Sequence, residues 1–379
     1  MPVLAKAIAA DRLSVPSIPA SRAAPAAATV HLLIAGHTGQ IGSAFCRELC
    51  TQAARLGAEG VRLDIAGRFN RSEFIWSGTD GRGEERFARS HDDWPVILRC
   101  LLASPGAARV FVDCTAGTVF AEHYAELLRK GVGIVTPNKL ANSASQAQYM
   151  ELQRTARQCA RPYCYETTVG AALPVLGPLA ELARTGDHVR RIEAVVSGTL
   201  SFILNRVNNG ERFSVAVREA RARGYTEPHP ASDLAGLDSA RKLLILLREA
   251  GLEWEPDQIN VQNLVPEELA DETDAECFLA GLAAHDAAWA EHAEAAHHRS
   301  LRLVYLARYD GHRAQVNVTH VTATDPFALL APGENLVRIW TDRYRPVPLS
   351  IAGPGAGPEL TAAGVLTDVL KAARELRHA

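Results

Sequence analysis

Three things are scarce in this sequence, and each scarcity removes a class of function. Net charge is nearly absent: 40 lysines and arginines stand against 43 aspartates and glutamates, a formal charge of −3. With no dense Lys/Arg stripe either, the chain lacks what a protein needs to draw its affinity from nucleic-acid phosphates. No apolar run approaches the roughly 20 residues of a bilayer-crossing helix, so no membrane role is expected. The seven cysteines are odd in number and include no Cys-x-x-Cys pair, which argues against a disulfide framework or a zinc knuckle. A reducing compartment follows, with the cytoplasm as the expected location.

What remains is a globular composition, 47% apolar over 379 residues. That length suits two domains at roughly 100–200 residues each and buries an adequate core without staples. Residues 1–28 are rich in Ala, Pro and Ser and read as a flexible tail, with Pro16, Pro19 and Pro25 breaking any helix. Lys6, Arg12 and Arg22 opposed by Asp11 give the tail a faint organelle-targeting composition, without the apolar core of a secretory signal.

From Val30 to Thr136 strand and helix signals alternate. Strands are expected at Val30–Ala35, Val61–Phe69, Arg109–Cys114 and Val132–Thr136, and helices at Ile41–Arg55 and Ala121–Lys130, the latter closed by Gly131. This rhythm predicts βαβ units and a parallel sheet. After about residue 165 it changes. Arg191–Ser197, Gln315–Val321 and Leu336–Trp340 read as strands of a mixed second domain, and Ser214–Arg223 and Asp233–Ala250 as helices ended by Gly224 and Gly251. Thr361–Arg377 is helical again.

Gly36-His37-Thr38-Gly39-Gln40-Ile41-Gly42 falls where the first strand passes into the first helix. Glycines there let the backbone approach a dinucleotide pyrophosphate, and a helix N-terminus offers free N–H groups and a partial positive charge. The spacing is one residue longer than G-x-G-x-x-G. A carboxylate at the end of the second strand would hold a ribose 2′-hydroxyl, and an arginine there accommodates a 2′-phosphate. Here the strand ends in Gly67-Arg68-Phe69-Asn70-Arg71-Ser72, with no acid until Glu73 and with Asp64 too early in the strand. Arg71 therefore favours NADP over NAD, unless it and Arg68 are simply solvated.

Within the expected helix over residues 233–250, Asp238, Arg241, Lys242 and Arg248 share a narrow arc with Leu234 and Ile245, at 100° per residue. The rest is apolar, so the arc faces water or a cleft. Asp238 and Lys242 lie one turn apart. Such a pair is commonly a surface ion pair worth a few tenths of a kcal/mol. In a cleft it is a lysine exchanging a proton with a substrate hydroxyl beside an orienting carboxylate.

Thr136-Pro-Asn-Lys139, Tyr165-Glu166-Thr-Thr-Val169-Gly170-Ala171-Ala-Leu173-Pro174, Ser197-Gly-Thr199-Leu-Ser201, Gly224–Pro230, Asp233–Lys242 and Gly353-Pro-Gly-Ala-Gly357 follow one another here. In this order they resemble the homoserine dehydrogenases, most of all the dehydrogenase half of bifunctional aspartokinase/homoserine dehydrogenases, from about residue 30 to the C-terminus. The resemblance implies a Rossmann-type nucleotide domain over 29–165, completed by 350–379. It also implies an α+β mixed-sheet domain for substrate binding, catalysis and dimerisation over 166–349. The implied reaction is NAD(P)-dependent interconversion of L-homoserine and L-aspartate 4-semialdehyde, in threonine, methionine and isoleucine biosynthesis, by a homodimer.

Residue by residue, the resemblance makes Lys242 the proton-transfer group and Asp238 its partner. Glu227 and Asp233 become the carboxylates for the substrate ammonium, with Lys139 and Thr199 also at the substrate. Gly36, Thr38, Gly39, Gln40, Ile41, Gly42, Arg71, Thr115, Lys139 and Gly357 become cofactor contacts. Glu166, Val169, Ala171 and Leu173 become a Na+ or K+ site of one carboxylate and several backbone carbonyls. Where the family often has two acids before the long helix, this chain has Ser232-Asp233. The sequence is expected to be a complete catalytic unit for one reaction, with the kinase step on another chain and little inhibition by threonine.

Other candidates carry less chemistry. His285, His292, His297 and His298 have the spacing of an exposed helix and no completing ligand for a metal. Cys114 is expected to be buried packing, and Trp94 and Trp340 core or interface residues. Two alternatives stand beside the dehydrogenase: a non-catalytic NADP- or metabolite-binding regulator, and a related dehydrogenase for another small amino aldehyde. A pure binder has no need of the Asp238/Lys242 pair.

Overall fold

The computed structural model describes residues 28–77, 84–88, 94–103 and 108–378. The expected tail, apart from Ala28, lies outside the described residues. A first sheet contains β1 (Ala28–Ala35), β2 (Val61–Phe69), β3 (Glu73–Trp76), β4 (Glu85–Ala88), β5 (Ala108–Asp113), β6 (Gly133–Val135) and β7 (Tyr163–Cys164), in the spatial order β4-β3-β2-β1-β5-β6-β7. The β2-β1-β5-β6-β7 portion is parallel throughout, and β3 and β4 add antiparallel strands at one edge.

Strand β1 is apolar on both faces because both are covered. Val30, Leu32 and Ile34 pack with Phe45 and Leu49 of α1 (Gln40–Ala58) and with Val365 and Val369 of the last helix. Leu33 and Ala35 face the opposite layer, built from α2 (Trp94–Leu102), α3 (Tyr124–Arg129) and α4 (Gln146–Gln158). Since β1 is flanked by β2 on one side and β5 on the other, a crevice opens outside its carboxyl end, where α/β sheets bind ligands.

The second unit begins with α5 (Leu176–Arg184), β8 (Val189–Val195), α6 (Gly198–Asn208), α7 (Phe213–Ala222), α8 (Ala231–Leu234) and α9 (Leu237–Glu249). It continues with β9 (Ile259–Val261), α10 (Ala275–Gly281), α11 (Asp286–His298), β10 (Leu301–Tyr309), β11 (Ala314–Thr322), β12 (Glu334–Thr341) and β13 (Leu349–Pro354). Its mixed sheet runs β13-β12-β8-β10-β11-β9, and the largest core cluster joins one face of it to α6, α7 and α9. The opposite face carries a small cluster of Val195, Val304, Leu306, Phe327 and Leu336. Helix α12 (Pro358–His378) then returns to pack on α1 and the first sheet.

Three expectations need correction. The helix expected over Asp233–Ala250 is broken: Gly236 sits at φ +73, and a Cβ there would stand 1.9 Å from the Tyr305 hydroxyl, so α8 ends at Leu234 and α9 starts afresh at Leu237. Arg248 does not share an exposed arc. It is buried, and its guanidinium donates to the carbonyls of Asn142, Ala144 and Trp254 at 2.7, 2.8 and 2.9 Å, pinning the end of α9 to the loop after β6. Finally, Leu349–Pro354 pairs with β12 in the second sheet, so the chain returns to the nucleotide unit after Pro354 and not from residue 350.

Candidate active site

The crevice outside β1 is a cleft of about 1070 Å³ lined by the glycine turn, the end of β2 and the loop after β5. Gly36 adopts φ +76, and a Cβ on it would stand 3.0 Å from the Cys114 carbonyl. Gly39 closes the turn by donating its N–H to the Gly36 carbonyl at 2.9 Å and caps α1. Thus the spacing, longer by one residue, still delivers the start of a 19-residue helix to the cleft.

Of the residues expected at the cofactor, Gly36, Thr38, Gly39, Gln40, Ile41, Arg71 and Thr115 line this cleft. Gly42, Lys139 and Gly357 do not. Gly42 instead makes room for the turn: a Cβ on it would lie 2.2 Å from the Gly36 carbonyl oxygen, so its role is close packing beneath the cleft. The sequence reading missed Asn70, Ser72, Ala116, Gly117, Val119, Phe120 and His123, and it placed Trp94 in a core or interface although Trp94 is in the lining too. The Trp94 ring stacks on that of His123 at 4.0 Å. No periodicity could show this contact, because the two residues come from elements on either side of β5.

Three acids bear on the end of β2, and one of them, Glu84, accepts from Arg68 at 2.7 Å. Asp64 is paired with Arg62 at 2.9 Å, and Glu73 accepts from Arg86 at 3.1 Å. Cys114 lines the cleft, and burial pushes its thiol far above the ordinary cysteine range, which disfavours the thiolate a nucleophile requires.

On the second unit α9 delivers the charged group. Asp238 lies 2.8 Å from the Lys242 ammonium and 3.3 Å from that of Lys139, which arrives from the loop after β6. Lys242 is the most enclosed of the three, its side chain 13% exposed against 46% for Asp238, and it donates to the Val196 carbonyl at 2.7 Å. Burial works to raise the Asp238 carboxyl, but the ammonium groups of Lys242 and then Lys139 outweigh it and hold Asp238 well below the usual carboxylate range. The i, i+4 pair is therefore not an isolated surface pair. A lysine from the nucleotide unit completes it.

Asp233, on α8, is half-buried, and burial raises its carboxyl against the hydrogen bond from the Glu227 N–H. The Glu227 N–H sits 2.9 Å from its Oδ2, so Asp233 organises the segment that presents the exposed Glu227 carboxylate. Thr199, at the start of α6, donates to the Tyr225 carbonyl. These contacts bring Glu227, Asp233 and Thr199 together beside the Asp238 group.

The carboxylate of the expected cation turn has a second task. The Glu166 carboxylate accepts backbone N–H groups from Val175, Leu176 and Gly177 at 2.6, 2.5 and 2.8 Å. It caps the start of α5, with two of these bonds on Oε1 and one on Oε2. Gly170 and Ala171 both take positive φ, +79 and +55, in this tight turn. Among the described residues no group of three or more His, Cys, Asp or Glu could hold a metal ion, the His285–His298 cluster included.

A dinucleotide-type cleft at the switch point of a parallel sheet, together with a Lys–Asp–Lys cluster to which both units contribute, defines a two-domain dehydrogenase of the NAD(P)-dependent kind. Residues 38–166 match the family model "Homoserine dehydrogenase, NAD binding domain" and residues 174–370 the model "Homoserine dehydrogenase". The chain belongs to the homoserine dehydrogenase family. It is 39% identical over 290 residues to the homoserine dehydrogenase of Schizosaccharomyces pombe, covering 74% of this chain and 77% of that one. It is 43% identical over 270 residues to bifunctional aspartokinase/homoserine dehydrogenase 2, chloroplastic, of Zea mays, where the match covers 71% of this chain but 29% of the maize protein. Among solved structures, a hyperthermophilic archaeal homoserine dehydrogenase in complex with NADPH superposes with a TM-score of 0.68 at 25% identity, covering 91% of this chain and 97% of that chain.

Proposed function

We propose that this protein interconverts L-homoserine and L-aspartate 4-semialdehyde, with NADP preferred to NAD, as a step of threonine, methionine and isoleucine biosynthesis. The observation that carries the reading is the enclosed Lys242, held 2.8 Å from Asp238 with Lys139 on the far side. A bound nicotinamide dinucleotide supplies the hydride acceptor or donor. The glycines fit such a group because a Cβ at Gly36 would fill the turn that cradles it. In this reading Gly36, Thr38, Gly39, Gln40, Ile41 and Thr115 hold it, Arg71 faces the 2′-phosphate, and Gly42 supports the turn.

The chain's own residues then handle the proton. In reduction the Lys242 ammonium gives its proton to the carbonyl oxygen and is left as the neutral amine; in oxidation that neutral amine takes the proton of the substrate hydroxyl, while Asp238 keeps the side chain aimed and Lys139 offsets the carboxylate's charge. Glu227 and Asp233 bind the substrate ammonium, and Thr199 fixes the segment that carries them. A Na+ or K+, where bound, rests on the Glu166 carboxylate and the backbone carbonyls of Val169, Ala171 and Leu173. The half-open face of the second sheet, with Leu329 68% exposed beside Phe327, supports a homodimer joined there. All seven cysteines are free, in keeping with a cytoplasmic setting. No helix among the described residues is long and apolar enough to cross a membrane.

The test is steady-state oxidation of L-homoserine with NADP+ and NAD+, with Lys242→Ala alongside. A homoserine-dependent rise at 340 nm is expected, with a loss of about 10²-fold or more in the variant. No rise with either cofactor would overturn the reaction, and unchanged turnover of the variant would overturn the role of Lys242.

A further inference from the structure

Between the cofactor cleft and the lysine cluster lies a run of buried polar groups that neither site uses directly. Asp113 ends β5 and is fully buried, as are Tyr124 at the start of α3 and Thr136 after β6, while Asn138 is 5% exposed. Asp113 Oδ1 accepts from both the N–H and the hydroxyl of Thr115, at 2.8 and 2.6 Å, and its Oδ2 accepts from the Tyr124 hydroxyl at 2.6 Å. The Tyr124 oxygen also lies 3.2 Å from Thr136 Oγ1, which donates to the Asp113 carbonyl at 2.9 Å and accepts from the Asn138 N–H at 2.9 Å. The Asn138 amide nitrogen then donates to the Gly117 carbonyl at 2.8 Å.

Followed end to end, this network is closed and directed. One end holds Thr115 and Gly117, which line the cofactor cleft; the other holds the backbone on either side of Lys139, since Asn138 Oδ1 also accepts from the Leu140 N–H at 3.0 Å. Stability alone does not ask for so many polar groups, because a satisfied buried network is commonly no better than well-packed apolar side chains. What it does supply is a fixed separation between two loops that leave adjacent strands.

We propose that Asp113, Tyr124, Thr136 and Asn138 form a brace that sets the spacing between the cofactor cleft and the Lys139–Asp238–Lys242 cluster, with the Tyr124 hydroxyl as its central joint. These are positioning residues, and the proposal rests on the dehydrogenase reading above. Transfer between two bound partners is sensitive to their separation, and a misplacement of about 1 Å can cost on the order of 10²-fold in rate. Binding of each partner alone is far less sensitive. The brace therefore acts on kcat more than on either KM.

The experiment compares Tyr124→Phe, Asp113→Ala and Asp113→Asn in the full chain by kcat, both KM values, NADPH fluorescence on binding and thermal melting. Tyr124→Phe and Asp113→Ala are expected to lower kcat at least about tenfold while both KM values stay within about threefold. Asp113→Asn is expected to recover kcat to within about threefold of wild type: its oxygen still accepts from Thr115, its amide donates to the Tyr124 oxygen, and the phenolic hydrogen turns to Thr136. If Tyr124→Phe does not fold, Asn138→Ala at the network's edge is expected to show the same split. An active wild type with unchanged kcat in these variants, or Asp113→Asn as damaged as Asp113→Ala, overturns the brace alone. A wild type that binds NADPH yet does not oxidise homoserine overturns the proposed reaction and the brace with it.

Discussion

Adding one methyl group at Gly42, which does not itself line the cofactor cleft, should damage the cleft from beneath. A Cβ at this position would stand 2.2 Å from the Gly36 carbonyl oxygen, 2.8 Å from its carbonyl carbon and 2.9 Å from the His37 Cα, all of them backbone. Ordinary contact begins near 3.4 Å, so either the start of α1 or the glycine turn must move by about 1 Å. Overpacking of this kind costs about 1–3 kcal/mol, and every 1.4 kcal/mol that falls on binding is about tenfold in Kd. Gly42→Ala is therefore expected to melt several degrees below wild type and to weaken NADPH binding, read by its fluorescence, by about tenfold or more. Gly57→Ala is the control, in the last turns of the same helix with nothing within 4 Å of its added Cβ. It should stabilise the chain by about 0.5–1 kcal/mol through helix propensity and leave NADPH binding unchanged. Wild-type affinity and melting in Gly42→Ala, or equal effects of the two substitutions, would refute the claim that Gly42 acts by close packing beneath the cleft.

Two further outcomes follow from other parts of the molecule. Arg71→Ala should raise KM for NADP+ about tenfold and leave that for NAD+ within about twofold, because a guanidinium–phosphate contact is lost only with the former; equal changes for both cofactors would remove Arg71 from the 2′-phosphate. Glu249 is held above the usual carboxylate range by burial, which the hydrogen bond from the Tyr165 hydroxyl only partly offsets. The folded chain then holds this proton more tightly than the unfolded chain does, so the contribution is greatest below the ordinary value of 4.5 and is lost as pH rises through the raised value. Glu249→Gln, which keeps an acceptor for Tyr165, should flatten that fall in melting temperature across mildly acid to neutral pH; an unchanged slope would show that another group sets it.

Strands β1, β2, β5 and β6 of the first sheet were legible as short runs bounded by turn residues, and β1 is buried on both faces as such a run requires, whereas the two- to four-residue strands β3, β4 and β7 were not. The glycine turn was legible by its place between strand and helix. The break at Gly236 was not, because the reason for it is the Tyr305 hydroxyl, contributed by a strand nearly seventy positions later. Arg248 misled for a related reason: periodicity puts it on the arc of Asp238 and Lys242, while its partners are carbonyls of a loop in the other unit. That the Glu166 carboxylate also caps the start of α5 was not legible, because its partners are backbone N–H groups about ten positions further on.

What the sequence alone determined is the kind of protein: an α/β nucleotide unit, a second mixed unit, and linked motifs whose order marks the homoserine dehydrogenase family. These are properties of spacing along the chain, and spacing is what periodicity, turn chemistry and motif order record. The tertiary structure decided which charges meet. Lys242 meets Asp238 within one helix, but Lys139 is 99 positions from Asp238, and only the packing of the two units sets it against that carboxylate and helps hold it ionised. Electrostatic interaction depends on distance and enclosure in space, and neither is written along the chain.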